Sequence, residues 1–452
     1  RAGVDMEMAS TSYAEYIPAL LEEGLISQQQ IDESVRKILS LKFRLGLFDN
    51  PYTDASEYPE LLNPEHLALA RKLARQSLVL LKNADGLLPL SVDLKKVAVI
   101  GPLADAPHDQ LGTWVFDGEK KHSITPLSAL RSYLEDKSEV LFAPGLKISR
   151  TKETGGFAEA VEAAGQADVI LLFLGEESIL SGESHCRADI SLPGAQEDLV
   201  KVLSETGKPM VGIILAGRPL TIRPILDLLD AVIYAWHPGT MAGPAIADIL
   251  YGIESPSGKI PVTFPTTAGQ IPMYYAHKNT GKPPTEESWV KMEDIPVEPF
   301  QLSIGNTSHY LDEGYKPLFP FGFGLSYTTF EYSDLKVSDQ SMPVNEKITV
   351  SATVTNSGTF DADEIVQLYV RDLFASRTRP VRELKRFQRI HLKTGESRLV
   401  SFTLEADDLT FHNPEMKKVV EPGRFHVWIG GSSETGLMTE FEIVNGSEER
   451  QD

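Results

Sequence analysis

A single cysteine, Cys186, stands in 452 residues, so no disulfide can close within the chain, and cysteine usage does not settle the redox compartment. Basic residues are also short: 43 Lys and Arg face 64 Asp and Glu, a net charge of −21. With no basic stripe to offset that excess, nucleic acid is excluded as a partner. No apolar run approaches the ~20 residues of a membrane span, so no membrane partner is expected. Neither a GxGxxG nor a Walker A pattern occurs, although several strand candidates end in glycine turns (IGP at 100–102, LAGRP at 215–219, HPGT at 237–240). No nucleotide cofactor is therefore expected. His185 and Cys186 stand together without further ligands at site spacing, so no catalytic zinc or other metal is expected either.

What is present is ordinary globular sequence, 42% hydrophobic and 24% charged, long enough for about three domains of ~150 residues. Residues 1–50 read as helical. An amphipathic stretch covers 13–23. Ser27 and Gln30 then form a capping box before Ile31, Val35, Ile38 and Leu39, which share one helix face. Gly46 and Pro51 supply the stop. Two helices with an apolar face and no sheet must dock on something else. The opening RAGVDMEMAS looks like the middle of a domain, so the chain is expected to be the later part of a longer polypeptide.

From 64 to 265 strands and helices alternate. Apolar strands are expected at 97–100, 140–143, 169–174, 210–215 and 231–235, with helices at 157–167, 195–205 and 243–250 between them. That alternation predicts βαβ units and a mostly parallel sheet. Residues 51–63 read as a linker, and 266–320, rich in Pro, Gly and Tyr, as an irregular insertion. From 321 to 445 strands dominate. Ile348, Val350, Ala352 and Val354 alternate with polar residues, and the pattern recurs at 365–370, 399–404, 425–429 and 441–443, which predicts a small β-sandwich. Residues 446–452 read as a frayed tail.

The stretch of chemical interest is 169–193, VILLFLGEESILSGESHCRADISLP. A strand buried on both faces gives way to a loop holding Glu176, Glu177, Glu183, His185, Arg187 and Asp189, before Pro193, which is expected to open a helix. A titratable loop leaving the carboxyl end of a buried parallel strand is where open α/β sheets place ligands.

Several segments together, AGVDMEM at the start, LARQSLVLLKNADGLLPL (73–90), VAVIGPLAD (97–105), SGKIPVTFP (257–265) and PFGFGLSYTTFEYSDL (320–335), resemble glycoside hydrolase family 3. Within it the chain looks most like bacterial periplasmic β-glucosidases with a C-terminal fibronectin-III-like domain. The resemblance implies the last helices of a (β/α)8-type barrel at 1–50, an α/β sandwich domain at 64–265 and the fibronectin-like domain at 321–445. It further implies a retaining exo-acting β-glycosidase that releases terminal β-D-glucosyl units through two carboxylates. One, an Asp in an SDW-like or SDH-like motif of the barrel, would lie upstream of Arg1, leaving this chain alone inactive. The other, a Glu acid/base preceding an Arg- or Asp-containing stretch and an LP, corresponds to Glu183.

A loop glutamate is by default a solvated surface group; the resemblance raises Glu183 to the catalytic candidate, with Glu176 next. Glu176 itself is expected to bond backbone amides at the strand end. Arg187 is expected to pair with Asp189, hold the loop or orient Glu183, and is carried as a substrate-site residue. Trp114 and its neighbour Phe116 sit where family relatives place aromatic groups against the sugar beyond the scissile bond. Core packing is the competing fate of Trp114. Tyr274, Tyr275, Asn279 and Trp289 either line outer subsites or clamp domains, the second being favoured. The β-domain is expected to brace the sandwich or build a subunit interface, which leaves a homodimer open. The implied partners are a β-linked oligosaccharide or glucoside and the missing barrel segment; the implied compartment is periplasmic or extracellular. A β-xylosidase or exo-glucanase, or a non-catalytic carbohydrate-binding scaffold, are the alternatives.

Overall fold

The computed structural model describes residues 3–54, 56, 58, 61–344 and 346–445, so the expected tail lies outside the described residues. The chain forms two compact units, Arg1–Pro64 and Glu65–Asp452.

In the first unit, helices α1 (Ser12–Glu22) and α2 (Gln28–Arg44) occupy the predicted places. The Ser27 hydroxyl accepts from Gln30 N while the Gln30 side chain accepts from Ser27 N at 2.9 Å, which closes the capping box. Asp5 receives Lys37 Nζ at 3.0 Å and Ser34 Oγ at 3.0 Å, tying the leading segment to α2. No residue of either helix is buried, and Leu39, Leu41 and Phe43 are exposed.

The second unit opens with α3 (Pro64–Ser77) and a six-stranded sheet of β1 (Val79–Asn83), β2 (Lys96–Ile100), β3 (Glu139–Ala143), β4 (Val169–Gly175), β5 (Met210–Leu215) and β6 (Ala231–Tyr234). Its order is β1-β6-β5-β4-β2-β3. Strands β2 to β6 run parallel, as the sequence predicts; β1, which the alternation does not reveal, pairs antiparallel with β6 at the edge. The remaining helices are α4 (Pro126–Tyr133), α5 (Phe157–Gln166), α6 (Gln196–Ser204), α7 (Arg223–Leu226) and α8 (Ala242–Leu250).

Every residue of β4 is buried because the sheet carries a layer on each face. Ile170, Leu172 and Leu174 join a core with Ala160 and Ala164 of α5 and Leu199 and Leu203 of α6. The intervening Val169, Leu171 and Phe173 join another with Leu127 and Leu130 of α4 and Ile246 and Leu250 of α8. At α6 the structure corrects the sequence: the helix begins at Gln196, not Pro193. The Gln196 side chain is turned inward to the end of β4, so the preceding residues form a turn instead.

The β-domain comprises β7 (Phe330–Val337), β8 (Ser341–Pro343), β9 (Lys347–Asn356), β10 (Ala362–Asp372), β11 (Glu383–Leu392), β12 (Ser397–Glu405), β13 (Phe411–His412), β14 (Lys418–Val419), β15 (Gly423–Gly430) and β16 (Met438–Val444). A five-stranded sheet, β11-β10-β15-β16-β8, faces a three-stranded one, β12-β9-β7, over a core that includes Val350, Val354, Leu368, Leu404 and Phe441. Strand β11 escapes the alternation rule because only Ile390 and Leu392 of its ten residues are buried. Lys259, from the segment after α8, pairs with the buried Glu364 of β10 at 3.2 Å and joins the two layers. Tyr275 stacks on Phe321 at 4.2 Å and takes the Leu384 N–H at 3.1 Å, a clamping geometry.

Candidate active site

The carboxyl ends of β2, β4, β5 and β6 each release a loop, and the polar one, residues 176–191, leaves β4. Its first peptide is fixed on the neighbouring strand, Glu176 N donating to Leu215 O at 2.8 Å, and its last end bridges to the chain after β5, Thr221 N donating to Ile190 O at 2.9 Å. The buried Gln196 amide accepts from Gly175 N at 2.8 Å and donates to Gly175 O at 2.8 Å, to Pro193 O and to Ser149 O. The strand end is thereby held from outside the sheet.

Glu176 is 1% exposed. It does not bond backbone amides, as its position at a strand end suggests. It receives the guanidinium of Arg187 and, at 3.0 Å, Nε of Arg218. A carboxylate removed from water requires such partners, and two arginines satisfy it. Arg187 thus meets Glu176 and Ser191 O (3.0 Å), not Asp189 or Glu183. Asp189 instead accepts Ser191 N at 2.9 Å, which lowers its pKa below the ordinary carboxylate value. Glu177 pairs with Arg150 and accepts Ser149 Oγ at 2.8 Å. Asp109 accepts both N (2.9 Å) and Oγ (3.1 Å) of Ser178.

Glu183 differs from these carboxylates. It is exposed, and within residues 65–445 it has no hydrogen-bond or ion-pair partner among the described residues. It stands at the tip of the loop between two residues in left-handed backbone, Gly182 at φ 121° and Ser184 at φ 63°. Glycine suits the first of these, since an L side chain there is strained. The Cα of Gly182 faces Thr113: a side chain starting there would meet its methyl at 3.3 Å. The loop after β2, which carries Trp114 and Phe116, is therefore next to the loop of Glu183. Trp114 is 62% and Phe116 82% exposed, their rings edge to face at 5.6 Å. Trp114 therefore does not pack in a core of the described residues.

Beneath the loop lies His237, at the end of β6. Burial holds its imidazole below the ordinary histidine pKa, although the charges of Glu176 and Asp109 oppose this. Its Nε2 is 3.5 Å from Ser181 Oγ. Cys186 is free and exposed, and among the described residues no group of His, Cys, Asp or Glu could hold a metal ion. Asp109, Gln196, Arg218 and His237 were not singled out from sequence. The LAGRP turn after β5 and the HPGT turn after β6 contain Arg218 and His237 but gave neither a role.

Residues 78–327 match the glycosyl hydrolase family 3 C-terminal domain and residues 364–433 a fibronectin type III-like domain. A periplasmic beta-glucosidase of Salmonella typhimurium is 39% identical, the match covering 98% of this chain and 59% of that protein. A beta-xylosidase of Formosa agariphila is 37% identical over 96% of this chain and 59% of its own length. A beta-glucosidase from Listeria innocua, solved in complex with glucose, superposes with a TM-score of 0.86 at 38% identity, covering 98% of this chain and 59% of that one. The chain thus spans about three-fifths of the length of the relatives it matches. With a mixed α/β sheet, a β-sandwich after it and matches to both family domains in that order, the chain belongs to glycosyl hydrolase family 3.

Proposed function

We propose that this chain supplies the acid/base half of an exo-acting retaining β-glucosidase, with Glu183 as the proton donor and acceptor. The observation carrying this reading is the contrast at one loop. Every other carboxylate of residues 176–191 is engaged, whereas Glu183 is exposed and has no partner among the described residues of 65–445, on a loop that adjoins, at Gly182 and Thr113, the one carrying Trp114 and Phe116. In a double displacement, an Asp carboxylate attacks the anomeric carbon while the acid protonates the departing glycosidic oxygen. The same group, now a carboxylate, then takes a proton from the water that displaces the Asp. The Asp is assigned to the two-fifths of the relatives' length that this chain does not span, within the barrel to which residues 1–50 would contribute closing helices. The carboxyls would stand about 5–5.5 Å apart. Trp114 and Phe116 would meet the sugar beyond the scissile bond through their apolar faces. Arg187 would serve the site indirectly, through Glu176 and the loop.

The experiment is Glu183→Ala in the full-length enzyme. Hydrolysis of alkyl β-glucosides is expected to fall by about 10²–10⁴-fold. With 2,4-dinitrophenyl β-glucoside, whose leaving group needs no proton, azide should restore turnover and yield glucosyl azide. Near-normal activity on alkyl glucosides would refute the assignment.

The Formosa agariphila relative named a beta-xylosidase supports a second reading, β-xyloside as substrate. Paired kcat/KM values on p-nitrophenyl β-glucoside and β-xyloside separate the two. The name of the Salmonella relative supports a periplasmic or extracellular site of action. Among the described residues no helix is long and apolar enough to cross a membrane.

A further inference from the structure

Residue 218 is joined to the 176–191 loop by more than its pair with Glu176. One nitrogen of its guanidinium, Nη2, donates to the carbonyl of Leu180 and to that of His185, the latter at 2.9 Å. These two carbonyls stand on either side of Glu183, so a single planar group closes the neck of the short hairpin that carries it. The remaining bonds inside the hairpin are local: His185 N to Gly182 O at 3.2 Å, Ser181 N to Ser178 O at 3.3 Å, and His185 Nδ1 beside Ser181 O at 3.2 Å. Apart from His237, which meets Ser181 Oγ at 3.5 Å after β6, Arg218 is the partner of this hairpin that reaches it from the chain following the sheet strands.

Its root there is firm. The hydroxyl of Tyr234, a fully buried residue of β6, donates to Arg218 O and accepts from Leu220 N at 3.2 Å, fixing the backbone on both sides of Pro219. Gly217, just before, lies under the hairpin. A methyl group there would come within 2.3 Å of Ser181 Oγ, so the loop rests directly on that backbone. A continuous mechanical path leads from β6 through Tyr234 and Arg218 to the peptides bracketing Glu183.

We propose that Arg218 is a positioning residue for the acid/base: its guanidinium, neutralised by Glu176, spans the Leu180 and His185 carbonyls and sets where the Glu183 carboxyl stands. This rests on the reading of Glu183 as the acid/base. Two features of the group fit the task. A guanidinium offers donors in a rigid fork that can serve a carboxylate and two carbonyls at once, which an ammonium cannot do in fixed directions. The carboxylate that balances it is itself out of water and shared with Arg187, so the group has no easy alternative rotamer.

Arg218→Lys keeps a cation for Glu176 while losing the two-armed hold, and Arg218→Met removes both. The test compares kcat/KM for methyl β-glucoside, whose departure needs a proton, with that for 2,4-dinitrophenyl β-glucoside, whose departure does not, in full-length enzyme carrying Arg218→Lys, Arg218→Met or Glu183→Ala. Misplacing a catalytic group by about 1 Å can cost on the order of 100-fold. Arg218→Lys is expected to lose about tenfold or more on the methyl glucoside with little change on the dinitrophenyl substrate, and Arg218→Met to lose more on the same axis. Should Arg218→Met fail to fold, Arg218→Lys carries the test alone. Equal losses on both substrates, with Glu183→Ala still selective, would overturn the positioning role and leave Glu183 standing. Loss of selectivity in Glu183→Ala itself would overturn the acid/base reading, and this inference with it.

Discussion

The α/β layer and the β-domain differ in where their buried charge is placed. In the α/β layer a carboxylate, Glu176, sits out of water at a strand end, with two arginines bent toward it from different loops. Seven residues on, Glu183 has no partner among residues 65–445 that the structure describes. In the β-domain one buried acid, Glu364, serves a joint between layers, and another, Asp372, closes a local turn. Glu364 takes Lys259 and the Tyr332 hydroxyl (2.8 Å), and Asp372 accepts the Phe374 N–H at 3.2 Å. The α/β layer uses buried acids in both ways, Glu176 to hold a loop and Asp248 of α8, paired with Arg71 and Arg75 of α3, to hold a helix seam, whereas Glu364 of the β-domain serves a seam alone. A buried ion pair is by itself weak evidence for stability. What sets the Glu176 network apart is that the loop it holds also carries Glu183, which has no partner among the described residues of 65–445.

That contrast can be broken most severely at Glu176. Glu176→Gln leaves Arg187 and Arg218 facing a neutral amide, and loss of one member of a buried pair costs about 3–5 kcal/mol. In the full-length enzyme, under the proposed function, both the thermal midpoint and alkyl-glucoside hydrolysis should fall, the latter beyond what the lost stability explains when assayed well below the midpoint. Unchanged hydrolysis would show that the network only stabilises. Leu404→Ala, in the β-domain core, should cost about 2–5 kcal/mol, read as a lower unfolding midpoint. It should leave the ratio of alkyl- to aryl-glucoside activity untouched. A change in that ratio would erase the functional distinction between the two regions.

The smallest effect concerns Asp372. Burial raises its pKa from 3.8 to about 6 in the folded chain, above the unfolded value. The folded state therefore prefers the protonated acid, and the group begins to destabilise as pH rises past 3.8, with its full cost present above about 6. Asp372→Asn should raise the unfolding midpoint at pH 7 relative to the parent, and the gain should vanish toward pH 4. A gain that persists at low pH would trace to packing instead.

Strands β2 to β6 were legible because a strand covered on both faces must be apolar throughout, and β9, β10, β12, β15 and β16 because a sandwich strand must alternate. The edge strand β1 and the charged β11 break those patterns, since one face or one end of each needs no apolar partner. At the site, a polar loop after a buried strand was legible, and the family resemblance singled out Glu183 within it. The partners of Glu176 were not. Arg187 was read against its sequence neighbours Asp189 and Glu183, whereas tertiary folding gives it to Glu176. Arg218 and Gln196 act across 42 and 21 residues of chain, a distance at which no local spacing carries a signal.

The anchoring of residues 176–191 at both ends has a practical corollary. Strand β5 holds the first peptide, Thr221 the last, and Gln196 pins the strand before it. A relative's version of 177–189 should therefore graft in with the sheet intact, provided that Glu176, Glu177, Ser178, Ser181, Arg187 and the Leu180 and His185 carbonyl positions are kept. Under the proposed function, grafts of that kind would vary the residues flanking Glu183 while leaving the strand ends that hold the loop unchanged.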